Sequence, residues 1–138
     1  MKPFEYIRDY HYESGWDAYA QSYAQLPQTG GVYSLTKELV HEIVHMYLDT
    51  NESTHVLDFN CGTGNDFPYF FEKGCKVTGL DGSKGMLNKA YEGYTHFIRS
   101  GRLSLYEGLT EDLDLNVFEA NSFDLIFSVT GGFSYLTD

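Results

Sequence analysis

"VLDFNCGTGND", residues 56–66, is the stretch whose reading decides the fold. An apolar run carries an Asp at 58 and leads into a loop with glycines at 62 and 64. The preceding "HVLDF" (55–59) is too apolar for a strand with a wet face, so it predicts a strand buried on both sides. The following "DFPYFFEKG" (66–74) predicts a short helix, with Gly74 suited to a left-handed end. A glycine loop between a buried strand and a helix invites three readings. A phosphate loop needs G-x-x-x-x-G-K-[ST], and no Lys-Ser/Thr pair follows here. A dinucleotide turn needs a third glycine for close helix–strand approach, and Phe67 stands where it would be. What remains is acid-x-small-x-Gly-x-Gly. Its glycines let the backbone approach a ligand and take positive φ, and Asn60 tolerates that region better than other side chains.

Working outward, the same alternation repeats. "KVTGLD" (76–81) predicts a second strand, and "SKGMLNKAYEGY" (83–94) a helix capped by Ser83. "RLSLYEG" (102–108) and "SFDLIFSV" (122–129) predict two more strands. Strands alternating with helices imply an α/β fold with a parallel sheet. Asp81 ends the second strand about twenty residues past the loop, where a carboxylate can grip two ribose hydroxyls at the carboxyl ends of the strands. The plain alternative is that Asp58 and Asp81 are strand-end carboxylates capping a neighbouring helix.

Upstream, residues 1–15 are Tyr-rich and read as irregular. Trp16, Tyr19, Ala20 and Tyr23 recur at helical spacing until Pro27. A second helix is expected from about Ser34 to Asp49, with Leu35, Leu39, Ile43, Met46 and Tyr47 as its buried stripe.

The chain has 138 residues, 42% hydrophobic and 17% aromatic, enough for one domain with a core. A net charge of −11 disfavours nucleic acid and anionic membranes as partners. No apolar run reaches membrane-spanning length and the N-terminus has no secretory core. Cys61 and Cys75 are too few for a disulfide scaffold, so a cytoplasmic setting is expected.

The sequence resembles the class I S-adenosylmethionine-dependent methyltransferases of the small-molecule type. "VLDFNCGTG" resembles that family's first motif, V-L-D-x-G-C-G-T-G, and "VTGLDGSKGML" its second. "SFDLIFSV" resembles its fourth strand, and "WDAYAQSY" its N-terminal lid helix. The order and spacing of the four agree over nearly the whole chain. The resemblance implies a Rossmann-like three-layer sandwich with a mostly parallel sheet, forming a single S-adenosylmethionine-binding domain over residues 1–138. Its lid segment would be about 1–33 and its core about 34–138. It implies that Asp58, Asn60, Cys61, Gly62 and Gly64 shape the pocket around the methionine part of the cofactor. Asp81 would hold the ribose. Gly82 and Met86 would lie against the adenine, although Met86 also reads as plain core packing. Thr110 would add a backbone group at the adenine rim. Ser128, Val129 and Thr130 would line the methionine end, and Tyr19 and Tyr23 would close over the cofactor.

Three departures stand out. Asn60 replaces the first glycine. Leu109 stands where the family often has Asp, with Glu111 as a substitute. The third is that Asp138 falls just past the fourth strand, whereas the family continues with three more. The expected function is methyl transfer from S-adenosylmethionine to a small-molecule acceptor, leaving S-adenosylhomocysteine, with no residue identifiable as the catalytic base. The alternatives are a non-catalytic cofactor-binding fragment or half of an assembly, and a dinucleotide binder. The fourth strand would be an exposed edge, open to pairing in a homodimer or to cover by residues 130–138.

"HEIVH" (41–45) matches the zinc-protease pattern H-E-x-x-H. His41 and His45 share a helix face but lie nearly opposite the expected apolar stripe, beside Glu38, Glu42 and Asp49. They are expected to point to water, and no metal site is expected.

Overall fold

The computed structural model describes residues 5–6, 15–26, 31–109 and 117–129. Its elements are β1 (Glu5–Tyr6), α1 (Gly15–Ala24), α2 (Gly31–Tyr47), β2 (His55–Phe59), α3 (Phe67–Glu72), β3 (Lys76–Asp81), α4 (Lys84–Arg99), β4 (Leu103–Glu107) and β5 (Leu125–Phe127). They form one sheet in the order β1-β4-β3-β2-β5, with every pair parallel. This is the Rossmann-like α/β fold expected, with one addition. The irregular-looking N-terminus supplies the short edge strand β1, which pairs Glu5 with Tyr106 and Tyr6 with Glu107.

The central strands follow directly from their residues. Along β2, Val56 packs into the larger core cluster with Phe67, Phe70, Phe71, Leu87 and Leu105, while Leu57 and Phe59 enter a smaller one with Leu80. Both faces are apolar because both are covered, as a parallel sheet requires. Helices α2, α3 and α4 contribute to the larger cluster. Among the described residues the opposite face is covered by Tyr106, Phe118 and Phe123. Register at the outer strand is fixed by Asp124. Its carboxylate accepts the His55 N–H at 2.8 Å, and its own N–H donates to the His55 carbonyl at 2.9 Å.

Arg102 ties helices to sheet. Its guanidinium donates to the Phe71 and Cys75 carbonyls at 2.9 and 3.2 Å, and lies over the stacked rings of Phe71 and Phe97. A cation at the end of α3 also favours that helix dipole. At the start of α4, Ser83 is the cap expected, accepting the Met86 N–H at 3.2 Å.

Helix α2 corrects the sequence reading. The stripe expected to be buried, Leu35, Leu39, Ile43, Met46 and Tyr47, is exposed, Tyr47 at 83%. The inward face carries Val40 and Val44, which pack on the larger cluster. It also carries Lys37 and His41, which are tied to Asp66. At roughly 100° per residue the two faces are separated by about a third of a turn. The larger apolar stripe faces outward, so counting hydrophobic residues points to the wrong face.

Candidate cofactor site

The loop after β2 turns as its residues predict. Asn60, Gly62 and Gly64 all take positive φ, at 55°, 56° and 80°. Gly64 is further constrained by packing, because a Cβ there would run into the Phe67 ring and lie 2.9 Å from the Tyr94 ring. The turn is closed by the Cys61 N–H donating to Leu80 and the Gly64 N–H to Cys61, at 3.0 and 2.9 Å. The loop therefore sits at the carboxyl ends of β2 and β3, where open α/β sheets bind ligands.

Asp81 joins the loop to α4. One carboxylate oxygen accepts the Gly62 N–H and the other the Ser83 N–H, each at 2.8 Å. It thus also does the capping work of the plain alternative. A carboxylate offers about four lone-pair sites, so acceptor capacity remains for a ligand. Burial pushes its pKa up to about 6, against the lowering effect of the two N–H donors. Asp58, on the adjoining strand, is buried. Desolvation, then the charges of Asp66 and Asp81, raise its carboxyl well above the usual range. The Cys61 thiol is likewise raised by burial, which leaves it unreactive as a nucleophile.

Tyr23 and Tyr19 lie on α1, within an aromatic triangle completed by Trp16. Tyr23 reaches the loop, with its ring 3.9 Å from where a Cβ on Gly62 would stand, whereas Tyr19 is exposed. Leu109 lies against Gly82. Met86 is buried behind the Ser83 cap. Ser128, just past β5, has a buried hydroxyl oxygen with no hydrogen-bond partner among the described residues. Thr110, Glu111 and Thr130 lie outside the described residues.

Sequence reasoning missed two polar groups beside the loop. Lys37 donates to the Asn65 carbonyl at 2.9 Å and pairs with Asp66 at 3.1 Å. Asp17 bonds to Ser83 and Gly85 across the mouth of α4. Only the "WD" of the lid-like motif could have signalled Asp17. The HEIVH reading also needs correction. His41 does not point to water: its ring stacks on Tyr69 at 3.8 Å and Nε2 lies 3.2 Å from Asp66. His45 is exposed, as expected. Among the described residues no group of three or more His, Cys, Asp or Glu could hold a metal ion.

Residues 56–138, from β2 onward, match the family model of the methyltransferase domain. The chain belongs to the methyltransferase-domain family. Its fold is shared by solved S-adenosylmethionine-dependent methyltransferases. An enzyme of Methanococcus maripaludis assigned to that class superposes with a TM-score of 0.68 at 18% identity, over 95% of this chain and 57% of that one. Phosphoethanolamine N-methyltransferase 2 of Haemonchus contortus, solved with S-adenosyl-L-methionine, gives 0.57 at 24% identity, over 81% and 25%. A Listeria monocytogenes protein assigned to the same class gives 0.52 at 30% identity, over 67% and 40%. The chain thus spans between 25% and 57% of the length of these relatives. No curated protein matches it in sequence. S-Adenosylmethionine is the cofactor of the methyltransferases whose fold this chain shares. No helix among its described residues is long and apolar enough to cross a membrane.

Proposed function

We propose that this methyltransferase domain binds S-adenosylmethionine between the glycine loop and the amino end of α4, and passes its methyl group to a small-molecule acceptor. The observation that carries the reading is Asp81. It is a half-buried carboxylate fixed by two backbone N–H groups, with lone pairs to spare at the strands' carboxyl ends. Asp81 would accept the ribose hydroxyls. The backbone of Asn60, Cys61, Gly62 and Gly64 would follow the methionine part. Ser128 would offer its unpartnered hydroxyl there, and Asp58 would face the cofactor's positive charge from its buried position. Gly82 and Met86 would border the adenine, and Tyr19 and Tyr23 would cover the cleft. When bound, the cofactor supplies an electrophilic methyl that an acceptor lone pair takes as the carbon–sulfur bond pair returns to sulfur, leaving S-adenosylhomocysteine. The chain's own contribution is to bind, orient and exclude water. The two free, buried thiols suit a cytoplasmic setting.

The test is calorimetry with S-adenosylhomocysteine. Asp81→Ala removes hydrogen bonds to a charged group, so affinity should fall by about 10- to 100-fold with the fold intact. Equal affinity of mutant and wild type would sink the assignment.

A second reading, the chain as one half of an assembly, is favoured by the edge position of β5 and its outward Ile126. In it, two copies pair along β5 in a homodimer.

A further inference from the structure

Helix α1 is anchored by polar as well as apolar contact. Ala20 is its one buried residue, while Trp16 and Tyr19 stand exposed. Asp17 adds polar contacts to the amino end of α4. One oxygen, Oδ1, accepts the Ser83 hydroxyl at 2.8 Å and the Gly85 N–H at 2.6 Å. Hydrogen bonds to an ionised acceptor at a helix amino end are among the stronger ones, and the dipole of the 16-residue α4 adds to them. The fit is close. A Cβ on Gly85 would stand 2.8 Å from the Asp17 Cα and from its carbonyl oxygen. Position 85 therefore admits glycine because α1 lies there, although α4 itself would accept alanine more readily.

The same few atoms lead to the cofactor site. Ser83, which donates its hydroxyl to Asp17, donates its backbone N–H to Asp81. Asp81 in turn holds the Gly62 N–H, and Tyr23 of α1 returns to that glycine. Helix α1 thus spans the cleft, fastened at one end by Asp17 and resting on the loop at the other.

We propose that Asp17 is a positioning residue that latches α1 onto the amino end of α4, holding the cleft closed and thereby setting cofactor affinity. The affinity part rests on the cofactor reading above; the latch itself does not. If the closed state is populated less often, apparent affinity falls by the same fraction.

The chain has a single tryptophan, Trp16, next to the latch, and it reports directly on α1. The experiment compares wild type, Asp17→Ala, Asp17→Asn and Gly85→Ala by acrylamide quenching of Trp16 and by calorimetry with S-adenosylhomocysteine. Asp17→Ala should quench more readily and bind at least about fivefold more weakly. Asp17→Asn keeps an acceptor oxygen and should recover most of both. Gly85→Ala leaves Asp17 in place but displaces α1 by contact, and should reproduce the Asp17→Ala pattern, which keeps the test sharp if Asp17→Ala folds poorly. Quenching unchanged in both Asp17→Ala and Gly85→Ala would overturn the latch. Increased quenching with wild-type affinity would overturn its role in binding. If wild type itself binds no S-adenosylhomocysteine, the cofactor reading fails, and the latch is decided by quenching alone.

Discussion

At the residue scale, Asp81 carries opposite consequences for the free and bound protein. Burial raises its pKa from an ordinary 3.8 to about 6. The folded state therefore holds a proton that the unfolded state has released between those two values. The contribution of this group to stability is present below pH 3.8 and is lost as pH rises to about 6. On the proposed reading, ligand binding would run the other way, because ribose hydroxyls would donate to the ionised carboxylate and favour that form. Affinity for S-adenosylhomocysteine should thus fall as pH drops from 7 through 6 to 5. Titrations at those pH values check it, with Asp81→Asn as the control. That variant should bind more weakly but with a flatter profile. A wild-type affinity that rises on acidification would contradict the placement of ribose on Asp81. The buried Asp58 also titrates out of its usual range, and the Asp81→Asn control separates the two.

At the element scale, what was legible in the sequence was the local chemistry. "HVLDF" and "KVTGLD" became strands with the ends read from the sequence, Ser83 capped α4, and Asn60 took the left-handed conformation that its side chain tolerates. The backbone of the candidate site's loop was readable for the same reason, since glycines and strand-end acids announce themselves by position. What escaped was set by tertiary partners. Strand β1 has no signal of its own and exists through β4. Helix α2 turned its less hydrophobic face inward because Tyr69 stacks on His41, and Asp66 meets both His41 and Lys37. That outcome is testable. Leu39, 57% exposed, should accept lysine with a stability change within about 0.5 kcal/mol. Lysine at buried Val44 should cost several times more, since an unpaired charge would enter the larger core. Chemical denaturation of the two variants distinguishes the faces, and the reverse ranking would restore the stripe expected from sequence.

At the scale of the whole molecule, the sheet has unequal edges. Strand β1 is two residues long, too short to template another strand. Strand β5 is different. Among the described residues it pairs on one side only, to β2, and its middle residue Ile126 is 61% exposed. It carries no charge of its own, the usual means of blunting such an edge. Its neighbour β2 is fully engaged, and among the described residues the far side of β5 has no strand partner. An edge of this kind gains hydrogen bonds and apolar contact by pairing with a copy of itself. A two-fold axis between antiparallel β5 strands is the simplest closed arrangement. On the proposed homodimer reading, the 138-residue chain should run as a dimer in light scattering at micromolar concentration. Ile126→Lys places a charge on the edge and should halve the mass. Because Ile126 lies two strands away from Asp81, with β2 between, the substitution should leave S-adenosylhomocysteine affinity as it was. A wild-type monomer at every concentration would remove the pairing, and a dimer that survives Ile126→Lys would place the contact elsewhere.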